Sequence, residues 1–183
     1  TNARDEHSLR AKVQGKLSEG TWQFAAGSVD VDNGYDAFSL DNNRNTRSDE
    51  PGRDAQESSY LAFNVSSSLN HAVIAEMSAG WVDSDIAYGY DEDWTFSGFH
   101  PFGYSSTDLY LRDVETRTAD IRLLSAPGQG LAAGAVDWVI GVYLLDKGVD
   151  FSRDYTFAGG LFTSDYAIDR LALYGELATK LSE

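Results

Sequence analysis

The chain has 183 residues, of which 42% are hydrophobic, and a formal net charge of -15 at pH 7. This size and apolar content suit one folded domain and exclude general disorder, while the negative charge disfavours nucleic acid as a partner. Because the chain has no cysteine, a disulfide framework and a thiolate metal site are also excluded.

Apolar and polar residues alternate along most of the chain, which is the period of β-strands with two unlike faces. In residues 9–17, for example, Leu9 and Val13 alternate with Arg10 and Lys12. Seven such segments occur, and the longest of them reach the length of the tilted strands that cross a membrane. They lie around residues 9–17, 22–26, 61–66, 73–81, 120–123, 137–144 and 170–181.

The predicted links between these strands alternate in length. Short links at 18–20 and near Asn70 alternate with long polar links at about 32–57, 83–113 and 146–167, and the link at 127–134 belongs by position to the short set. Transmembrane β-barrels have short turns at one end and long loops at the other. The prediction is therefore an all-β, antiparallel up-and-down meander of about seven to eight long strands, forming a segment of a transmembrane β-barrel.

Charged and aromatic residues fit the same picture. A polar lumen accounts for the charged residues that alternate with apolar ones, whereas a dry core would make each unpaired charge costly. This set is Arg10, Lys12, Lys16, Glu76, Asp120, Arg122, Arg170, Glu176 and Lys180. Aromatic residues near strand ends suit an interfacial girdle. They include Trp22, Trp81, Tyr88, Tyr90 and Trp138.

Three segments carry a resemblance to a known family. Residues 118–125 (TADIRLLS) and 136–143 (VDWVIGVY) resemble a pair of barrel strands, with Asp120 where glutamate is more usual. Residues 167–181 (AIDRLALYGELATKL) are similar to a later barrel strand. Residues 32–41 and 48–54 resemble an extracellular loop. Together the segments resemble the β-barrel of a TonB-dependent outer-membrane receptor.

The resemblance implies that residues 1–183 are part of a receptor barrel, with the plug domain and TonB box absent. It also implies active uptake of a ferric siderophore or similar scarce ligand across the outer membrane of a Gram-negative cell. The expected partners are membrane lipid and, through the missing plug region, the TonB complex. Arginines can pair with an anionic chelate, and aromatic rings can stack on catecholate or sugar rings. The candidate ligand-binding residues are Tyr35, Arg44, Arg53, His100 and Tyr104.

No catalytic, cofactor or metal site is expected. The acidic stretch at 30–36 departs from a calcium-binding loop at two positions and is interpreted as a solvated turn. The three histidines form no zinc motif, and no glycine-rich nucleotide motif follows a strand.

The alternative hypothesis is a soluble extracellular all-β carbohydrate-binding module or glycosidase. The orientation of one apolar strand face distinguishes the two hypotheses. In a soluble module the residues of this face point into a core between two sheets, and in a receptor they form one continuous outward band. The diagnostic residues are Leu9, Phe63, Met77, Ile140 and Leu173.

Overall fold

The chain folds into one antiparallel sheet of seven strands. The computed structural model describes residues 3–35, 38–43, 45–50 and 52–179, without the side chain of Tyr35. Each strand pairs with the next along the chain, which confirms the predicted up-and-down meander. Within the described ranges β1 pairs only with β2 and β7 only with β6, so the sheet is not closed. The strands are β1 (Glu6–Leu17), β2 (Gly20–Tyr35), β3 (Gly52–Ser68), β4 (Val73–Asp91), β5 (Thr107–Ser125), β6 (Val136–Tyr155) and β7 (Gly160–Thr179).

The strands are longer, and three of the links shorter, than the sequence predicted. The links at one end comprise residues 36–51, 92–106 and 156–159. Their predicted bounds were wrong because segments rich in Asp, Gly, Ser and Tyr were assigned to loops. The acidic stretch at 30–36 was likewise wrongly interpreted as a turn, since β2 continues to Tyr35. The links at the opposite end are residues 18–19, 69–72 and 126–135, the last containing a four-residue helical turn, Leu131–Gly134.

The five diagnostic apolar residues share one face of the sheet, here called face 1. Directly opposed residues of antiparallel strands lie on the same face, and the register links the strands in this way from β1 to β7. Leu9, Ile140 and Leu173 are 72%, 54% and 82% exposed. In the described part of the chain these side chains therefore enter no core between two sheets.

The apolar surface changes face halfway along the strands. The turn half of the sheet lies next to links 18–19, 69–72 and 126–135, and its face 1 is apolar. The opposite face, here called face 2, carries the charged residues that were predicted to line a lumen. Of that set, Lys180 lies outside the described residues. In the loop half, next to links 36–51, 92–106 and 156–159, face 1 carries carboxylates, and face 2 carries apolar side chains of β2 and of β4 to β7. Face 2 there includes Val29, Val31, Val82, Ile86, Val114, Val149, Phe151 and Ile168.

A cavity lies on the polar face of each half. In the turn half, a cavity of about 710 Å³ on face 2 is lined by residues of five strands, including Lys16, Asn64 and Arg122. In the loop half, a cavity of about 780 Å³ lies mainly on face 1 and reaches from His7 near one edge to Asp165 near the other. The main apolar surface of each half therefore lies on the face opposite its large polar cavity.

Glycines directly opposite aromatic residues fix the register of the sheet. Gly27 of β2 is opposed to Tyr60 of β3, and a Cβ atom at Gly27 would lie 2.5 Å from Cε1 of that ring. The aromatic side chain therefore lies across the glycine, an arrangement that pins strand register. Gly15 with Trp22 and Gly141 with Tyr174 form pairs of the same kind.

We expect Gly27→Ala to destabilise the sheet by about 1 kcal/mol, because the cost of overpacking the Tyr60 ring exceeds the gain in strand propensity. Gly148→Ala is the matched control, since no atom lies within 4 Å of its added Cβ. That variant should gain roughly 0.5 to 1 kcal/mol from reduced chain entropy in the unfolded state. Chemical denaturation of both variants measures the difference, and equal effects at the two positions would contradict the ring contact.

Candidate functional site at the loop ends

A row of opposed carboxylates crosses face 1 in the loop half. Six acidic residues, one from each strand from β2 to β7, lie directly opposite one another in register. They are Asp30, Glu57, Asp85, Asp113, Asp150 and Asp165. All six line the cavity of about 780 Å³. Directly opposed like charges destabilise strand pairs. This row therefore works against sheet stability at neutral pH.

The carboxylate row has few neutralising groups. Within the described ranges none of its members forms an ion pair with a basic side chain. Burial, together with the carboxylates of Asp85 and Asp83, raises the pKa of Asp113. Among all the described residues, no group of His, Asp and Glu side chains has the geometry to hold a metal ion.

A second feature, the aromatic pocket, lies on face 2 of the loop half and has a volume of about 370 Å³. Tyr88 and Tyr110 are directly opposed on β4 and β5, and their ring centroids are 6.2 Å apart. Period two along each strand brings one further side chain from β4 and one from β5 to the same face. The pocket is lined by Phe38, Tyr88, Tyr90, Trp94, Tyr110 and Arg112.

The two long links meet over the aromatic pocket. The rings of Phe38, in link 36–51, and Trp94, in link 92–106, stack nearly parallel with centroids 4.9 Å apart. Ser48 Oγ donates a hydrogen bond of 2.5 Å to Asp91 Oδ2, and the Ser97 N–H donates one of 2.7 Å to Asp49 Oδ2. These contacts tie link 36–51 to the end of β4 and to link 92–106.

Trp94 has an unusual conformation at the pocket wall. Its φ of 58° lies in the left-handed region, which is rare for a bulky side chain. Asp91 Oδ1 accepts the Trp94 backbone N–H at 3.2 Å and so supports this conformation. Burial and the neighbouring Asp93 carboxyl raise the pKa of Asp91 to about 6. The indole Nε1–H of Trp94 is buried and has no acceptor among the described residues.

An ion pair between a buried carboxylate and a partly exposed arginine supports the pocket. Asp108 of β5 is 1% exposed and accepts hydrogen bonds from Arg153 Nε and Nη2 at 2.8 and 2.6 Å. Tyr110 Oη donates to the same carboxylate at 2.8 Å, and Tyr90 Oη at 3.3 Å. The Arg153 guanidinium also lies over the rings of Tyr110 and Tyr155. The cluster joins three strands directly beside the pocket.

These contacts shift the titration of the groups involved. The Arg153 guanidinium holds the pKa of the Asp108 carboxyl below its usual value. Burial and the Asp108 carboxylate raise the pKa of Tyr90 to about 12. Asp108 is therefore ionised and Tyr90 is a neutral hydrogen-bond donor at neutral pH.

The structure brings together two of the five predicted ligand-binding residues. The rings of His100 and Tyr104 meet edge to face, 5.4 Å apart, in link 92–106. Tyr104 Oη donates to Glu92, and His100 Nε2 is 3.8 Å from Asp93 Oδ2. Because both side chains contact carboxylates of the same link, this pair helps to hold link 92–106 in its conformation.

The other three predicted residues are not gathered with this pair. Arg53 of β3 is on face 1, where it lines the cavity that holds the carboxylate row. Tyr35 ends β2, with its side chain outside the described part, and Arg44 lies outside the described residues altogether.

The sequence prediction missed the pocket residues. Tyr88 and Tyr90 were expected to belong to one aromatic girdle with Trp22, Trp81 and Trp138, but the register puts the two tyrosines on face 2 and the three tryptophans on face 1. The signal was present in the spacing of Tyr88, Tyr90, Tyr110 and Arg112, whose period-two positions share one face. No comparable sequence pattern indicated that Phe38 of link 36–51 and Trp94 of link 92–106 would line the pocket.

Comparisons of the chain with protein-family models, with curated proteins and with solved structures give no match. Among the described residues no helix is long and apolar enough to cross a membrane. The chemistry of the loop ends is therefore inferred from these residues alone.

We expect Arg153→Met to destabilise the protein, because it leaves the buried Asp108 carboxylate without its cation. Arg117→Met is the matched control, since Arg117 and Glu115 form an ion pair whose side chains are 61% and 37% exposed. The loss of stability for Arg153→Met should be several times that for Arg117→Met in chemical denaturation. Adding Asp108→Asn to Arg153→Met should restore part of the loss, and similar effects for both single variants would contradict the assigned role.

We expect Asp113, a member of the carboxylate row, to contribute more to stability as the pH falls from 7 towards 4. The folded-state pKa of Asp113 is raised, so its contribution to stability is present below its unfolded pKa and is lost as the pH rises through the folded value. Asp113→Asn should stabilise the protein at pH 7 and weaken this pH dependence. Asp154→Asn, on the same face outside the row, is the control. Equal pH profiles for the wild type and Asp113→Asn would contradict the expectation.

Proposed function

We propose that this chain forms part of the barrel wall of an outer-membrane TonB-dependent receptor, which takes up a ferric siderophore or similar scarce ligand. The observation that carries the proposal is the apolar turn half of face 1, which extends across all seven strands with a charged face behind it. Contiguous apolar surface of this extent marks contact with a membrane or another protein. An apolar outward face and a polar inward face are the pattern of membrane barrels.

The apolar band is continuous from one edge of the sheet to the other. Its exposed side chains come from β1 at one edge, β7 at the other and the strands between. They include Leu9, Val13, Leu17, Phe24, Leu61, Met77, Ile121, Ile140, Leu144, Leu171, Leu173 and Leu177. A soluble two-sheet module would cover this band with a second layer, and the described part of the chain supplies none. The carbohydrate-binding and glycosidase alternative therefore receives no support.

Strand length and tilt support the same proposal. A membrane-crossing strand needs about 9 to 11 residues, and the strands here have 12 to 20. The apolar band has an edge next to the loop half. In β1 this edge is at Leu9, a position that the register aligns with Asp83 of β4. In β7 the edge is at Leu171, level with Ala79 of β4. An edge oblique to the hydrogen-bonded rows is what strands tilted in a bilayer require.

The receptor part of the proposal rests on the segments at 118–125, 136–143 and 167–181 that resemble receptor barrel strands. In this proposal the turn half crosses the bilayer and the loop half extends beyond it. His100 and Tyr104 then lie at the outer end, where a ligand arrives. The polar cavity of the turn half faces a plug domain, through which the TonB complex would act. Catalysis is not part of this proposal.

The test uses single-tryptophan variants in vesicles of lipids with brominated acyl chains, which quench tryptophan fluorescence on contact. Trp138, on face 1 of the turn half, should be strongly quenched. Trp94, in link 92–106 at the loop end, should not be. This matched pair reports the orientation and depth of the same chain.

Two results would contradict the membrane proposal. One is a chain that is monomeric without detergent and does not bind vesicles. The other is equal quenching of Trp138 and Trp94. A chain that binds vesicles as expected but gives no ferric siderophore uptake in a complete receptor would contradict the proposed ligand class alone.

A further inference from the structure

We propose that the aromatic pocket on face 2 is a binding site for a small planar ring that carries a carboxylate, with Arg112 as the residue that recognises the negative charge. The pocket lies in the loop half, on the face opposite the carboxylate row. It stands on its own geometry and does not require the turn half to enter a membrane.

The walls of the pocket select a flat, partly apolar ligand. Five of the six described residues that line it are aromatic, and they come from two strands and two links. Aromatic rings bind other rings in stacked or edge-to-face arrangements, which favour a planar ligand over a branched one. The volume of about 370 Å³ is near the lower end of ligand pockets, which hold about 300 to 1,000 Å³. A ligand of one or two rings fits this space.

The charge of the pocket selects an anion. Among the described residues that line the pocket, Arg112 is the only one with a charged side chain. No carboxylate within the described ranges forms an ion pair with Arg112, and its guanidinium carbon lies 5.6 Å from the centre of the Phe151 ring. A planar guanidinium matches the two oxygens of a carboxylate.

The acidic groups near the pocket are already engaged elsewhere. Asp108 accepts hydrogen bonds from Arg153 and Tyr110, and Asp91 accepts them from Ser48 and the Trp94 backbone. These carboxylates therefore leave Arg112 available to a ligand. Tyr90 is also held by Asp108, so the ring that it presents to the pocket is fixed in place.

Trp94 adds a second observation that favours a ligand. Its indole N–H is a buried donor without an acceptor in the described part of the chain, which is costly unless a bound group satisfies it. Its left-handed backbone, held by Asp91, keeps this ring at the pocket wall. Strained residues of this kind cluster at ligand sites.

The test measures dissociation constants for three single-ring probes by NMR titration of the detergent-solubilised chain. Benzoate carries the expected charge, benzamide is neutral with nearly the same shape, and benzylammonium is cationic. We expect benzoate to bind about tenfold or more tightly than benzamide, as a charge-assisted hydrogen bond implies. Benzylammonium should bind most weakly.

Variants then identify the recognising residue. Arg112→Gln should weaken benzoate binding about tenfold or more and leave benzamide binding nearly unchanged. Arg112→Lys keeps the charge without the planar fork and should lie between the two. Arg10→Gln removes an equal charge from β1 at the far side of the sheet and should leave all three constants unchanged.

The proposal is overturned if none of the three probes binds, if benzylammonium binds as tightly as benzoate, or if Arg112→Gln binds benzoate like the wild type. The probe series on the unmodified chain decides the ligand class even if a variant fails to fold. These outcomes are independent of the lipid-quenching result, so failure of the site and failure of the membrane proposal are distinguishable.

Discussion

The exchange of apolar and polar faces halfway along β2 and β4 to β7 is the constraint on which the rest of this structure depends. A single sheet has no second layer, so each apolar surface needs an environment of its own. The turn half presents its apolar surface on face 1, and the loop half presents it on face 2. One continuous sheet therefore joins two differently oriented surfaces, and the boundary between them separates the proposed membrane segment from the part that carries the aromatic pocket.

Opposing electrostatic effects meet in the loop half. In the carboxylate row, like charges lie directly opposite one another on neighbouring strands, which weakens strand pairing from β2 to β7. On the other face, the buried Asp108 carboxylate, its partner Arg153 and the rings around them join β4, β5 and β6. The ends of the strands are thus held together from the aromatic side while the acidic side repels. The aromatic pocket therefore lies on strands that are joined to one another, below two links that contact each other.

Much of the fold could be predicted from the period of two, and much of the site could not. Alternation around Leu9, Met77 and Ile140 predicted the strands and their common face. The same logic failed after Asp146, because the acidic residues that indicated a loop continue the alternation with the faces exchanged. His100 and Tyr104 could be nominated by residue type, but their contact with each other depends on the path of link 92–106. The stack of Phe38 on Trp94 likewise joins two links, for which strand periodicity carries no information.

Because the apolar surface changes face within a strand, the number of residues on either side of that point is constrained. Because side chains alternate with a period of two, one residue inserted near Trp81 would turn over everything between it and the next link. The acidic side chains of that strand would then lie among aromatic rings, and Tyr88 and Tyr90 would lie beside the carboxylate row. An insertion of two would keep the faces but shift the rows. Length changes in this protein should therefore accumulate in the links, where no parity has to be preserved.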